Sequence, residues 1–214
     1  MDFENDGDLD ILIAIDDWAD YGWANAFNEK GIWTNGPLHG TFYLAEQTKP
    51  GVCETPKQII AGGKPIDNFS IPGSPFEDFY GDGYLDIILG EFLYRLTWFE
   101  NTGKKDKNGP VFKTPVYLQQ EPQYLKFGAL VTPFSTDWDR DGLPDFPGNS
   151  INVNFLRNKG TQNGLTILED LGPLSKTVLA GHSTLPTLFG WDKNEIPVLL
   201  IGAEDGHFYY LKNK

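Results

Sequence analysis

The chain has 214 residues, of which 40% are hydrophobic and 14% aromatic, and its formal net charge is −13. That negative charge argues against nucleic acid as a partner, and no apolar stretch approaches the roughly 20 residues of a membrane-spanning helix. Because aromatic residues, glycine and proline are plentiful, the composition predicts an all-β fold of short strands and turns.

Three acidic stretches share one nine-residue pattern, at residues 2–10, 78–86 and 137–145. Carboxylates recur at alternate positions, glycine stands sixth and aspartate stands ninth. The second stretch departs from the pattern because Tyr80 replaces the third carboxylate. At the seventh position a backbone carbonyl is expected to contribute an oxygen. The predicted metal ligands are Asp2, Glu4, Asp6, Asp8, Asp10, Asp78, Asp82, Tyr84, Asp86, Asp137, Asp139, Asp141, Leu143 and Asp145.

Alternating oxygens in a tight loop suit Ca²⁺, which takes six to eight oxygen ligands at about 2.3–2.6 Å. Glycine at the sharp turn avoids the steric cost of a Cβ atom. The third stretch is not an EF-hand, because Gly148 stands where the bidentate glutamate should be and Pro144 would break the exiting helix. The alternative is an aspartate-rich turn that holds no metal. A fourth stretch, residues 190–198, aligns by its tryptophan but lacks the ligand pattern.

An apolar strand is predicted after each acidic stretch, and an aromatic-rich strand follows it. Asn-x-Gly turns close two of these units, at residues 101–103 and 158–160. The order of aspartate, Phe or Trp, two variable residues, Asp-Gly, apolar strand, aromatic strand and Asn-x-Gly resembles the FG-GAP/VCBS repeat of calcium-binding β-propellers. The resemblance is clearest over residues 75–103, 133–160 and 186–213.

The resemblance implies β-propeller blades, each a four-stranded antiparallel repeat whose acidic loop joins the first two strands and holds a structural metal. It divides a single domain, residues 1–214, into approximate units 1–72, 73–128, 129–182 and 183–214. The family usually closes a ring from more blades than this chain supplies, and the first and last units are incomplete. We therefore expect a segment of a larger propeller.

One stretch, residues 17–40, interrupts the repeat as an inserted loop between two strands. It holds three of the six tryptophans of the chain. Flat aromatic faces beside polar side chains suit a sugar ring, so part of the loop is predicted to bind a ligand. The alternative is that these aromatic residues only pack the loop against its own sheet. The candidate ligand-binding residues are Trp18, Tyr21, Trp23, Trp33 and His39.

The leading functional hypothesis is a non-catalytic, Ca²⁺-stabilised scaffold of a secreted or cell-surface protein that binds carbohydrate or protein ligands. No signal peptide is present, which we attribute to truncation because the chain opens inside a repeat. One alternative is part of a propeller-type polysaccharide lyase, for which His39, Tyr21, Tyr43 and Arg95 would be tested first. Another is an integrin-like protein-interaction module. No nucleotide-binding or hydrolase fingerprint occurs in the sequence.

Overall fold

Strands are the regular elements of this protein in its computed structural model, which describes residues 2–3, 6–22, 24–69, 76–91, 96–121, 133–148, 152–179, 184–189 and 198–213. Within these residues no helix occurs, which confirms the prediction of an all-β fold. The strands are β1 (Ile11–Asp17), β2 (His39–Ala45), β3 (Gln47–Lys49), β4 (Val52–Cys53), β5 (Lys57–Gln58), β6 (Ile60–Ala61), β7 (Lys64–Pro65), β8 (Asp67–Asn68), β9 (Phe76–Glu77), β10 (Asp86–Gly90), β11 (Leu96–Phe99), β12 (Asn101–Asp106), β13 (Gly109–Phe112), β14 (Val116–Tyr117), β15 (Gln119–Glu121), β16 (Phe146–Gly148), β17 (Asn154–Gln162), β18 (Leu165–Pro173), β19 (Thr184–Phe189), β20 (Val198–Ala203) and β21 (Phe208–Lys212).

The sheets are mostly antiparallel and follow chain order. β1, β2 and β5 form the first sheet, in which β8 also pairs with β2. The second sheet is a four-stranded antiparallel meander of β9, β10, β11 and β14. β16, β17 and β18 form the antiparallel part of a third sheet, and β19, β20 and β21 form a fourth. Two further groups complete the pairing: β12, β13, β6 and β7 form one sheet, and β3 pairs with β4.

Two parallel strand pairs connect successive sheets, which the sequence pattern does not predict. After β5 the chain continues as β6, which pairs in parallel with β13. After β14 it continues as β15, which pairs in parallel with β18. Both pairs therefore cross the predicted unit boundaries at 72/73 and 128/129. The physical reason is that extended chain leaving an edge strand can satisfy its backbone groups on the next hairpin.

Three hydrophobic clusters lie between successive sheets, because central strands send alternate side chains to opposite faces. On β10, Ile87 and Leu89 pack with Phe42 and other residues of the first sheet, whereas Ile88 packs in a cluster with Phe146 of β16. β17 also contributes side chains to two clusters. Leu156 packs in that second cluster, and Phe155 packs in a third cluster that includes residues of β20. These strands are therefore apolar on both faces, unlike strands with one face in water.

The two outermost sheets each leave an apolar face open to solvent. On β1, Ile11 and Ile15 are exposed, and on β21 Phe208 is 78% exposed. Among the described residues, no helix has the length and apolar character needed to cross a membrane.

Candidate functional site

The ninth residue of each acidic loop is a buried aspartate that joins the loop to a neighbouring strand. We refer to residues 2–10, 78–86 and 137–145 as the first, second and third acidic loops. Asp10, Asp86 and Asp145 are at most 5% exposed. In the third loop, one oxygen of Asp145 accepts the N–H of Asn158 at 2.8 Å, and the other accepts the N–H of Trp138 at 3.1 Å.

The first loop uses both of these bonds, and the second loop uses the one from the neighbouring strand. Asp10 accepts the N–H groups of Phe3, at 2.9 Å, and of Gln47, at 3.0 Å. Asp86 accepts the N–H of Asn101 at 2.7 Å. A carboxylate that accepts bonds from two chain segments holds them together, so these aspartates have a structural role before any metal is considered.

The first residue of each loop closes the turn by binding backbone N–H groups. The N–H of the sixth residue, a glycine, donates to Asp2, Asp78 and Asp137 in the three loops at 2.8–3.1 Å. That glycine has a φ of +88° to +95° in each loop, a conformation that L-residues rarely adopt. The fourth position also has positive φ, +69° at Gly81 and +64° at Arg140.

The asparagine of each Asn-x-Gly turn fixes the loop from outside, a role that the sequence analysis missed. The Asn101 amide donates to the Leu85 carbonyl at 3.1 Å, and the Asn158 amide donates to the Pro144 carbonyl at 3.0 Å. Gln47 is the corresponding backbone donor beside the first loop. The recurrence of Asn-x-Gly at a similar distance after the second and third acidic loops was the available signal.

The third loop brings three predicted ligands together. Carboxylate oxygens of Asp137, Asp139 and Asp145 all lie within 4.8 Å of one another, and this is the one such acidic or histidine group among the described residues. Two oxygens bound to the same Ca²⁺ can be no more than about 4.6–5.2 Å apart, twice the metal–oxygen distance. The spacing therefore fits a hard cation. The remaining predicted carboxylate, Asp141, lies outside this group.

An arginine also reaches the third loop. The Nε atom of Arg157 is 2.6 Å from Asp139 Oδ2, and a terminal nitrogen is 3.5 Å from Asp141 Oδ2. Because a guanidinium is always charged, it offsets part of the negative charge of the loop. A cation bound to Asp139 would compete with it. Nothing in the acidic pattern itself indicates Arg157.

The second loop lacks the corresponding three-carboxylate group. The Tyr80 ring lies 4.9 Å from that of Trp98 and 5.7 Å from that of Phe79, so it packs with aromatic residues. The seventh residue, Tyr84, donates its N–H to Asp82 and packs its ring against Gly103. The seventh residue of the third loop, Leu143, donates its N–H to Asp141 in the same way.

Two predicted parts of the acidic pattern lie outside the described residues. These are Glu4 of the first loop and most of the fourth stretch, residues 190–197. In the first loop Asp6 accepts the N–H of Asp8 at 3.0 Å, the bond that Asp82 and Asp141 make in the other loops.

Burial changes the acidity of the ninth-position aspartates. Desolvation raises the pKa of Asp145 to about 6, although bonds from backbone N–H groups oppose the shift. Desolvation likewise raises the pKa of Asp86 to about 6. A divalent cation would stabilise the charged form of Asp145, so metal and protons compete at this position.

The inserted loop is folded on itself and connects β1 to β2. Phe27 and Trp33 form an isolated antiparallel bridge, and the N–H of Thr34 donates to the Ala26 carbonyl at 2.8 Å. Ala26 and Leu38 are each only 1% exposed, so part of the loop packs as the alternative interpretation expects.

The aromatic residues of the insertion form a connected row. The Tyr21 ring lies 5.5 Å from that of Trp18 and 5.0 Å from that of Trp33. It also lies 5.7 Å from Phe69, a residue outside the insertion that sequence reasoning did not select. Tyr21, Trp33 and Phe69 border an open cleft of about 400 Å³. Trp23 lies outside the described residues.

His39 begins β2 and is held by carboxylates. Its Nδ1 is 2.9 Å from both oxygens of Asp67, and its Nε2 is 3.6 Å from Asp20. The hydrogen bond with Asp67 raises the pKa of His39. Tyr43 is four residues along the same strand, about 13 Å away at the usual rise. Arg95, the fourth residue of the group suggested for a lyase, lies outside the described residues.

Comparison with known proteins gives no match: no family model, no curated protein and no solved structure matches the chain. The chemistry of the described residues must therefore carry the functional argument.

Proposed function

We propose that this protein is a non-catalytic, Ca²⁺-stabilised β-propeller segment of the FG-GAP/VCBS type, which acts outside the cell as a scaffold that binds carbohydrate or protein ligands. The observation that carries the proposal is the recurrence of one hydrogen-bond set in three acidic loops, centred on Asp10, Asp86 and Asp145. A turn that needed no metal would have little reason to keep the carboxylates of Asp137, Asp139 and Asp145 close together.

The stacking of the sheets supports the propeller interpretation. The second sheet is a four-stranded antiparallel meander, and its central strand β10 contributes to hydrophobic clusters on both of its faces. Successive sheets packed face to face are what propeller blades require, and the second acidic loop joins the first two strands of its sheet, β9 and β10. The exposed apolar faces of β1 and β21 are where further blades would pack.

Calcium is the metal that we propose for the third loop. All of its candidate side-chain ligands are oxygens, which suits Ca²⁺ better than the softer transition metals. Asp137, Asp139 and Asp145 would hold the ion, and Asp141 would join them once freed from Arg157. Extracellular Ca²⁺ modules bind at roughly 10⁻⁴–10⁻³ M, which favours action outside the cytosol.

Terbium luminescence tests this metal site directly, because Tb³⁺ replaces Ca²⁺ at oxygen sites and is sensitised by a nearby indole. Trp138 is the second residue of the third loop, and its N–H donates to Asp145. We expect Tb³⁺ emission that millimolar Ca²⁺ displaces and that Trp138→Phe strongly reduces. Phenylalanine is a matched replacement because the other loops have Phe3 and Phe79 at this position. Emission that survives in Trp138→Phe, or that Ca²⁺ does not displace, would contradict a calcium site in this loop.

The inserted loop is the proposed ligand-binding part. Trp18 is 42% exposed and Tyr21 and Trp33 are half-buried, so aromatic surface remains available beside polar groups. Deleting residues 18–38 should abolish ligand binding and leave the Tb³⁺ signal of the third loop in place. If the ligand is a protein rather than a glycan, the same scaffold is the integrin-like interaction module.

A further inference from the structure

The aromatic rings that line the cleft beside the inserted loop are in contact with one another. The Tyr21 and Trp33 rings are 5.0 Å apart at 37°, and Phe69 meets Tyr21 at 67°. Rings in contact at these distances leave no room for a ligand to slide between them. A ligand must therefore lie against an outer face, as a flat ring does on a platform.

Polar groups border this wall. The cleft is lined by Asn35, Gly36 and Pro37 in addition to the three rings. Asp20 lies directly behind Gly36, since the Gly36 N–H donates to the Asp20 carbonyl at 2.9 Å and a Cβ on Gly36 would fall 2.7 Å from Asp20 Cβ. Asp67, which pairs with His39, stands two residues before Phe69, about 7 Å along an extended strand.

The charge near the cleft has one dominant sign. Asp20 and Asp67 both lie beside His39, and Asp17 adds to the same negative field. The lining residues within the described part of the chain include no lysine or arginine. A carboxylate-bearing sugar would meet like charges here, and no described lysine or arginine lines the cleft to pair with it, whereas a neutral sugar would offer hydroxyls to the same carboxylates.

We propose that the cleft between the insertion and Phe69 binds a neutral pyranose unit of an oligosaccharide and discriminates against uronate-containing glycans. The C–H face of the sugar lies on the Tyr21–Trp33 wall. Its hydroxyls face Asn35 and the Asp20–His39–Asp67 group, which offers both acceptors and a donor. A volume of about 400 Å³ suits one or two sugar units. This inference rests on the proposed carbohydrate-binding function and adds the residues and the charge selectivity.

The test uses the full chain in 1 mM Ca²⁺ on an array of neutral and uronate oligosaccharides, followed by titration of the best neutral ligand. We expect binding to neutral glycans, and at least about fivefold weaker binding to uronate oligomers of equal length, with a gap that narrows in high salt. Trp33→Ala should weaken binding at least about tenfold. Phe69→Leu, a milder change at the ring that contacts Tyr21, should weaken it severalfold. Phe208→Ala removes an exposed aromatic ring from a different sheet and should have no effect.

Each result decides between this inference and the wider proposal. Glycan binding that is unchanged in both Trp33→Ala and Phe69→Leu would overturn the cleft assignment. Equal or tighter binding of uronates would overturn the charge selectivity. Binding of a lysine-rich peptide but of no glycan on the array would overturn the carbohydrate assignment in favour of a basic protein partner. In every case the Tb³⁺ signal reports separately whether the calcium scaffold holds.

Discussion

Arg157 Nε lies 2.6 Å from Asp139 Oδ2, so a fixed positive charge occupies the side of the third acidic loop that faces β17. The same guanidinium is 3.5 Å from Asp141. Both contacts are partly exposed to solvent, which limits their contribution to stability to about 1 kcal/mol. Their position nevertheless makes Arg157 a competitor of any cation that binds Asp139.

Replacing Arg157 by glutamine should separate these two effects. Without the arginine, carboxylate repulsion should lower the melting temperature in EDTA, while Ca²⁺ affinity should rise about fivefold because the ion no longer displaces a charge. Lys159→Gln is the matched control, because Lys159 lies on the same strand but pairs with Glu169 at 3.9 Å. Calcium titration and thermal melts measure both quantities. Unchanged or weaker Ca²⁺ affinity in Arg157→Gln would show that the contact does not compete with the metal.

The exposed tip and the buried last residue of the third loop should respond differently to the loss of charge. Asp145→Asn places an amide donor against backbone N–H groups in a fully buried position, so it should lower the free energy of unfolding by about 1–3 kcal/mol even in EDTA. Asp141→Asn lies at the exposed loop tip and should change that value by less than about 0.5 kcal/mol in EDTA. Both should reduce the stabilisation by Ca²⁺. Denaturant unfolding with and without Ca²⁺ tests the contrast, which equal losses in EDTA would refute.

Stability in the absence of metal should fall as pH rises. Asp86 and Asp145 have pKa values of about 6 in the folded chain, against an ordinary value of 3.8, so the folded state binds their protons more tightly. Their contribution is therefore fully present below about pH 4 and is lost as pH rises through about 6. Between pH 5 and 7.5 in EDTA, the two groups together should lower the free energy of unfolding on the order of 2–3 kcal/mol.

Calcium should reverse that trend, because protons and metal compete for Asp145. Urea unfolding at pH 5, 6 and 7.5, in EDTA and in 5 mM Ca²⁺, measures both curves. Asp145→Asn should flatten the EDTA curve by about half. Stability in EDTA that rises over this pH range would mean that these carboxyls are not buried as described.

The glycines of the two Asn-x-Gly turns test whether the second and third acidic loops are packed differently. Gly103 and Gly160 both have positive φ, +67° and +81°. A Cβ on Gly160 would lie 3.9 Å from Leu143 Cδ1, whereas one on Gly103 would fall 2.5 Å from the Tyr84 ring. Gly160→Ala should cost about 1–2 kcal/mol from backbone strain alone, and Gly103→Ala about 1 kcal/mol more.

The additional destabilisation caused by Gly103→Ala should disappear when Tyr84 is replaced by leucine, the residue at the same position of the third loop. A double-mutant cycle of Gly103→Ala and Tyr84→Leu, measured by urea unfolding, gives the coupling energy. A coupling near zero would show that the Tyr84 ring does not limit the space at Gly103.

The sequence alone indicated the all-β fold and placed three acidic loops, because composition and a nine-residue pattern are local signals. Within the third loop it also selected Asp137, Asp139 and Asp145, whose oxygens the fold brings together. It could not indicate Arg157 or Phe69, and it placed Asn158 in a turn without indicating its contact with the loop. These contacts depend on strand register and on chain segments distant in sequence, which a local pattern does not encode. The parallel β6–β13 and β15–β18 pairs were missed for the same reason.

The most direct test of the calcium scaffold is a thermal melt of the full chain, followed by tryptophan fluorescence, in EDTA and in Ca²⁺ at about a hundred times its dissociation constant. Each bound ion should then add about 2.7 kcal/mol to the free energy of unfolding, which for a domain of this size raises the melting temperature by about 5–10 °C. Asp139→Asn should abolish most of that shift. A cooperative transition at the same temperature in both buffers would contradict the central claim that these loops are calcium sites.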